Sequence, residues 1–305
     1  MTITILQLQC SLLVMILIGT LGKKAGIITE GVSAGLSKMM INLILPCSVF
    51  SAFFERIPDD ILKSSVLMIL ITIAAHLLYI LAGVLLYRKK PALQQPVLRF
   101  AILCPNSNFM GMPVIGGIYG AEGIFLLSVA LLPARIFILS IGIAYFVAGK
   151  SSGRMKRLLK SPPLWAVDLG LLVVWLKITL PVPLENAIAS LGNCTTPLSM
   201  ILIGCVISDL KLKMFLNKEI WKLCFWRLLG MPLVVLAMLK LVGITQAAVA
   251  GVSVVLSALP AGAMTVMFTK EYEKDGLLAA ACVISSTLLS VLTIPLVYLL
   301  CARII

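Results

Sequence analysis

The chain alternates long apolar runs with short polar or Gly/Pro-rich breaks. Ten such runs lie near residues 4–21, 31–54, 64–87, 97–118, 121–148, 164–181, 186–208, 221–242, 244–268 and 276–301. Each is close to the roughly 20 apolar residues that a helix needs to cross the hydrocarbon core of a bilayer. The pattern therefore predicts ten transmembrane helices. The longest polar stretch runs from Lys150 through Arg154, Lys156, Arg157 and Lys160 to Pro163. It divides the chain into a first half, 1–150, a linker, 151–163, and a second half, 164–305, with five predicted spans in each half. The first run starts without a basic segment before it, so residues 1–21 are expected to be a retained span and not a signal peptide.

Composition agrees with the pattern. Residues of the AVILMFWYC set make up 61% of the 305 positions and charged residues 12%, and mean hydropathy is +1.11. Soluble domains carry about 25% charged residues, so an ordinary soluble enzyme, a disordered chain and a coiled coil are excluded. The formal charge of +13 reads as the basic bias of cytoplasmic loops; no soluble basic segment is long enough to suggest a nucleic-acid partner. The eight cysteines are scattered through apolar runs, none as Cys-x-x-Cys or near a histidine at zinc spacing, so no metal site or cofactor is expected.

The halves carry matching signals. Asn42-Leu-Ile-Leu-Pro46 in the second span pairs with Asn193-Cys-Thr-Thr-Pro197 in the seventh. Tyr119-Gly-Ala-Glu-Gly123 after the fourth pairs with Tyr272-Glu-Lys-Asp-Gly276 after the ninth, at nearly the same separation. Such internal symmetry marks a repeat. An odd number of spans per half makes the second repeat inverted. Basic residues cluster after span three (Arg88, Lys89, Lys90, Arg99), after span five, and after span seven (Lys211, Lys213, Lys218, Lys222). Those loops are expected in the cytoplasm, with both termini outside. The loop after span nine, with Lys270 and Lys274 against Glu271, Glu273 and Asp275, votes weakly the other way.

Spans four and nine are interrupted. Span four contains Pro105-Asn-Ser-Asn-Phe-Met-Gly-Met-Pro113, and span nine contains Ala258-Leu-Pro-Ala-Gly-Ala-Met264. Proline removes a donor and clashes one turn back. Broken backbone at membrane depth survives only where protein or a polar cavity satisfies it. Half-helix N-termini then present about half a positive charge each, which suits a carboxylate, with the amides of Asn106 and Asn108 as further donors. The competing reading is a pair of simple proline kinks around Pro105, Gly111, Pro113 and Pro260. Asn42 and Asn193 have two readings as well: marks of functional scaffold breaks, or hydrogen-bond partners for carbonyls orphaned by Pro46 and Pro197. His76 and Arg135 lie near the middles of spans three and five, where an ionisable group is costly and faces protein or water. Arg135 is a candidate counter-charge for an anion or a structural arginine at a helix break. His76, the only histidine, is a candidate proton site or a neutral core residue. Asp168 reads as interfacial, Lys177 and Lys240 as snorkelling, and Tyr119 and Tyr272 as gates or interface anchors.

At these segments the chain resembles the auxin efflux carrier family, which includes plant auxin exporters and bacterial carboxylate permeases. Leu103-Cys-Pro-Asn-Ser-Asn-Phe-Met-Gly-Met-Pro-Val-Ile-Gly-Gly-Ile-Tyr-Gly120 is similar to the plant carriers' Pro-Asn-Thr-x-x-Met-Gly-x-Pro…Met-Tyr-Gly. Ala258-Leu-Pro-Ala-Gly-Ala-Met-Thr-Val-Met-Phe-Thr-Lys-Glu-Tyr272 is similar to their Ala-Leu-Pro-x-Gly…Phe-x-Lys-Glu-Tyr. The long central hydrophilic loop of many plant members is absent. The resemblance implies an all-α membrane fold of the bile-acid symporter type: two inverted five-helix repeats with helices four and nine crossing at Pro105 and Pro260. It implies a scaffold from helices 1, 2, 6 and 7, a moving transport domain from helices 3–5 and 8–10, and often a homodimer. Substrate would sit beside the crossing, held by Asn106 with Ser107, Asn108 and Gly262 close by. The expected function is elevator-type secondary transport of small organic anions in the plasma membrane, coupled to a proton or sodium. His76 stands where the plant carriers have an aspartate, and Arg135 where they lack a basic residue, so indole-acetate specificity does not carry over. The alternatives are a sodium-coupled carrier like the bile-acid symporters, disfavoured by the lack of an acidic residue in either broken segment, a channel or sensor on the same fold, and an intramembrane enzyme, for which no catalytic set is present.

Overall fold

The computed structural model describes residues 2–51, 59–146, 169, 172–173, 180–208, 217–244 and 246–304. The basic linker 151–163, Asp168, Lys177 and nearly all of the predicted sixth span lie outside the described residues. Among the described residues the chain is helical, and the single β-type pairing is an isolated bridge between Pro105 and Ala261. Six helical runs among the described residues are long and apolar enough to cross a membrane: Glu30–Ser51, Ser64–Leu86, Ser107–Phe146, Val182–Cys205, Lys218–Val242 and Gly276–Ile304. The protein is an integral membrane protein by this architecture.

The helices group into two compact units. The first holds the described residues of 1–65, 108–129 and 159–209. Here α1 (Thr2–Lys24) lies along α9 (Thr195–Ile207), and α3 (Leu45–Ser51) packs on α8 (Val182–Asn193). Small residues set the approach of α1 and α9. A Cβ on Gly19 would stand 2.2 Å from the Ile201 carbonyl oxygen, and one on Gly204 would stand 2.1 Å from that of Ile16. Thr20 Oγ1 donates across this contact to the Gly204 carbonyl at 3.0 Å. Without a hydrophobic drive between helices in lipid, such close backbone contact and interhelical bonding hold them together.

The second unit holds the described residues of 66–107, 130–158 and 210–305. It contains most of α4 (Asp59–Leu86), α5 (Gln95–Leu103), α10 (Lys218–Phe225), α11 (Met231–Val242), α12 (Ala247–Ala258), α13 (Met264–Glu271) and α14 (Gly276–Ile304). Helix α4 is apolar all round, as a span should be, yet its faces differ. Val66, Leu70, Leu77, Leu81 and Leu85 are exposed, while Met68, Thr72, Ala75, His76 and Tyr79 are buried. The inward stripe carries the polar groups, since lipid cannot satisfy them.

Among the described residues, four one-turn π-bulges interrupt the helices, at Met40–Ile44, Ser107–Gly111, Ile138–Gly142 and Trp226–Gly230. The sequence predicted separate spans on either side of Gly120. The structure breaks the helix at the same place: within α6 (Met112–Phe137) the backbone at Gly120 is non-helical, with φ 60° and ψ −147°, and joins two helices across a kink. Only glycine occupies that region of backbone space readily.

Candidate functional site

The two interrupted segments meet in the second unit. Helix α5 stops at Leu103, because Pro105 disfavours a helical Cys104, which is extended at φ −105°, ψ 100°. Helix α12 stops at Ala258 for the same reason: Leu259 precedes Pro260 and sits at φ −64°, ψ 146°. The unwound strands run antiparallel. The Asn106 amide donates to the Pro260 carbonyl at 2.8 Å, and the Gly262 amide donates to the Cys104 carbonyl at 2.8 Å. The Ala261 amide donates to Ser286 Oγ on α14 at 3.1 Å. The Pro105 carbonyl accepts from the Ser107 amide at 2.9 Å and from Ser107 Oγ at 3.3 Å. Backbone groups freed by the two breaks thus find partners in each other, which is how irregular backbone persists inside an apolar protein.

A helix end leaves its last carbonyls without intrahelical partners, and those of Ile102 and Leu259 lie at the ends of the two broken helices. Both are taken by Arg227, whose Nε donates to Leu259 at 2.9 Å and whose Nη1 donates to Ile102 at 2.9 Å. Arg227 sits on the bulge Trp226–Gly230, is fully buried, and lies over the Tyr79 ring at 5.2 Å. Its Nη2 has no hydrogen-bond partner. Sequence reasoning singled out Arg135 and His76 and passed over Arg227. The signal was present: an arginine six residues into an apolar run is as conspicuous as either of the others.

Several donors at the crossing stay uncommitted. Asn106 is buried, with 5% exposure, and its side-chain amide makes no hydrogen bond among the described residues. The amides of Ala263 and Met264, where α13 begins, make none either. Thr265 Oγ1, in the first turn of α13, is buried without a partner. A helix N-terminus, a carboxamide and a hydroxyl form a donor-rich setting that suits an anion. Gly262 lies inside the crossing itself. A Cβ there would meet Cys104 Sγ at 2.9 Å and the Pro105 carbonyl oxygen at 3.0 Å.

The remaining predicted residues fall elsewhere. Asn108 and Gly111 lie on the bulge Ser107–Gly111, and Pro113 is the second residue of α6, where a missing N–H does least harm; all three belong to the first unit. His76 Nδ1 is 2.8 Å from the Thr72 carbonyl, which can only accept, so Nδ1 carries the hydrogen. Nε2 is buried without a partner, and the ring lies against Tyr79 and Phe137 at 5.2 and 5.5 Å between centroids. Arg135 follows Pro133 near the end of α6, and its Nη1 is buried without a partner. Neither His76 nor Arg135 hydrogen-bonds the crossing segments. In the first unit, Asn42 Nδ2 donates to the Lys38 carbonyl at 2.7 Å across the bulge that precedes Pro46. Asn193 ends α8, and Pro197 is the third residue of α9. Tyr119 adjoins the kink at Gly120. Tyr272 stacks on Phe146 at 5.9 Å. Lys240 sits in the last turn of α11.

Comparison with known proteins gives the setting for this geometry. The profile of a family described as "Membrane transport protein" matches residues 4–155 and 146–298. An "Uncharacterized transporter" of Methanothermobacter thermautotrophicus is 27% identical over 300 residues, which cover 94% of this chain and 95% of that protein. A second uncharacterised transporter, from Methanocaldococcus jannaschii, is 25% identical over 295 residues, covering 93% and 94% of the two chains.

Proposed function

The chain belongs to the membrane transport protein family, and from that premise we propose that it is a secondary active transporter of small organic anions, mono- or dicarboxylates among them. The membership implies a transporter and not an enzyme. The observation that supports an anionic cargo is the crossing itself: one broken segment carries the Asn106 carboxamide and the other leads into the uncommitted donors Ala263 N–H, Met264 N–H and Thr265 Oγ1, with no acidic residue in either broken segment. Asn106, with Ser107 and Gly262 at the same crossing, holds the carboxylate in this reading. The proposal includes the ten-helix inverted repeat, the elevator-type motion, a homodimer, a proton or sodium as coupling ion with His76 as the candidate proton site, and a plasma-membrane location with both termini outside.

The test is a thermal-shift screen of purified protein against mono- and dicarboxylates, repeated with Asn106→Ala. A ligand that binds only the native fold raises stability by about 2.7 kcal/mol at a hundredfold excess over its dissociation constant. The expected result is a carboxylate that stabilises the wild type and leaves the variant unmoved. If no carboxylate stabilises the wild type, with or without sodium and across pH, the anionic cargo is wrong.

Arg135 extends the reading to a second carboxylate. An unpartnered buried guanidinium nitrogen has capacity for a bidentate partner. Arg135→Ala is expected to abolish binding of the stabilising carboxylate while the variant still elutes as folded protein. Unchanged affinity in that variant removes Arg135 from the site.

A further inference from the structure

We infer that Arg227 is the positioning residue of the crossing: its guanidinium ties the ends of the two broken helices together and offsets their dipoles. The inference concerns the site proposed above, but it stands on geometry that needs no ligand.

A helix leaves its last carbonyls without intrahelical partners. At a helix end in water, solvent takes them. Here Ile102, one residue from the end of α5, and Leu259, the cap residue of α12, are fully buried, so water cannot. An arginine near a helix C-terminus can take that place, and one planar fork reaches two acceptors in a fixed geometry. Arg227 does this for two helices at once, with 2.9 Å to each carbonyl.

The electrostatic consequence follows. Each helix C-terminus carries roughly half a negative charge, so two of them at one place sum to about one. Uncompensated, that charge opposes any anion beside the crossing. The Arg227 guanidinium, charged at every accessible pH, offsets it. The uncommitted amides at the start of α13 then set the local sign. The cost of burying the guanidinium is met by two charge-assisted hydrogen bonds and by the face of Tyr79.

Arg227 also sits on a bulge, Trp226–Gly230, in an otherwise regular run of α10 and α11. Such one-turn bulges gather at functional sites. Here the bulge is the turn that carries the fork.

The experiment is hydrogen–deuterium exchange of the purified, ligand-free protein, followed in peptides covering 104–107 and 258–263. Asn106 and Gly262 donate the two bonds that join the strands, so their exchange reports the tie. Arg227→Gln is expected to speed exchange at both at least tenfold, while α1 and α9 exchange as in the wild type. Ser286→Ala removes the acceptor of the Ala261 amide and two bonds to carbonyls of its own helix, those of Cys282 and Val283, and among the amides of the crossing it is expected to speed Ala261 alone. Wild-type exchange at Asn106 and Gly262 in Arg227→Gln overturns the proposal, as does an equal rise throughout the chain, which would mean general destabilisation. If Arg227→Gln does not fold, Arg227→Lys decides. It keeps the charge but lacks the fork, so it is expected to give intermediate acceleration, and wild-type exchange at both amides overturns the proposal. A wild type that binds no carboxylate would defeat the proposed cargo and leave this result intact.

Discussion

Gly204→Val is expected to lower the apparent unfolding temperature of the protein more than any other single substitution outside the crossing. The atoms a Cβ would strike at Gly204 are all backbone: the Ile16 carbonyl oxygen at 2.1 Å, the Thr20 amide nitrogen at 2.7 Å and the Gly19 carbonyl carbon at 3.0 Å. No rotamer change relieves such a contact, so α1 and α9 must move apart. Separation also stretches the Thr20 Oγ1 to Gly204 carbonyl bond and the Cys205 Sγ to Gly19 carbonyl contact. Overpacking costs about 1–3 kcal/mol where side chains can yield; against backbone the cost is expected at or above about 3 kcal/mol, the top of that range. Gly19→Ala strikes the same contact from the other side. The double variant Gly19→Ala with Gly204→Ala is expected to cost less than the sum of the singles, because the first already opens the gap the second needs. Fluorescence-detected size-exclusion after heating measures the wild type, Gly204→Val, the two single alanine variants and the double variant. An unfolding temperature unchanged in Gly204→Val would show that the two helices do not approach at these glycines.

How much of this could be read in advance depends on whether a feature is local. Pro105 and Pro260 declare a break wherever they occur, because a missing donor and a fixed φ are properties of the residue. Both interruptions were therefore legible. That Pro105 pairs with Ala261 and Gly262 with Cys104 was not legible from the residues alone, since nothing local relates positions so far apart; only the resemblance to a known family suggested the crossing. Gly120 is a local case too. Its place as a boundary was visible and the helix does break there, but the sequence reads a kink and a loop alike, so the tight join of the two helices at Gly120 was not legible. The bulges had no sequence signal at all, because a π-turn depends on what the extra residue must reach. Arg227 had a signal that went unused. Its partners are main-chain carbonyls, which leave no trace in residue identity, whereas Arg135 and His76 drew notice by standing near the middles of their spans. The first-unit residues Asn42 and Asn193 were equally visible as motif positions. Their surroundings differ: the Asn42 carboxamide bonds Lys38 beside a bulge, while Asn193 ends a helix.

At the crossing, Gly262→Ala is expected to lose both stability and any binding that depends on Asn106. One added methyl would stand 2.9 Å from Cys104 Sγ, 3.0 Å from the Pro105 carbonyl oxygen and 3.3 Å from the Cys104 carbonyl oxygen. The last of these accepts the Gly262 amide, so the methyl pushes on the bond that joins the strands. Sulfur is the nearest atom and sits on a short side chain, whereas the proline oxygen is fixed. Relief at the sulfur alone should therefore be partial. Gly262→Ala is expected to cost about 1–3 kcal/mol, and combining it with Cys104→Ala is expected to recover part of that loss, giving a coupling energy of at least about 0.5 kcal/mol in a double-mutant cycle. The cycle is read by thermal unfolding of the four proteins. Additive costs would mean that the methyl and the sulfur do not meet, and that the strands at Pro105 and Ala261 stand further apart than the bridge requires. The same cycle separates two origins of a binding defect. If the double variant regains stability but not the carboxylate response, the register of Asn106 against Pro260, and not the mere presence of a folded crossing, sets the site.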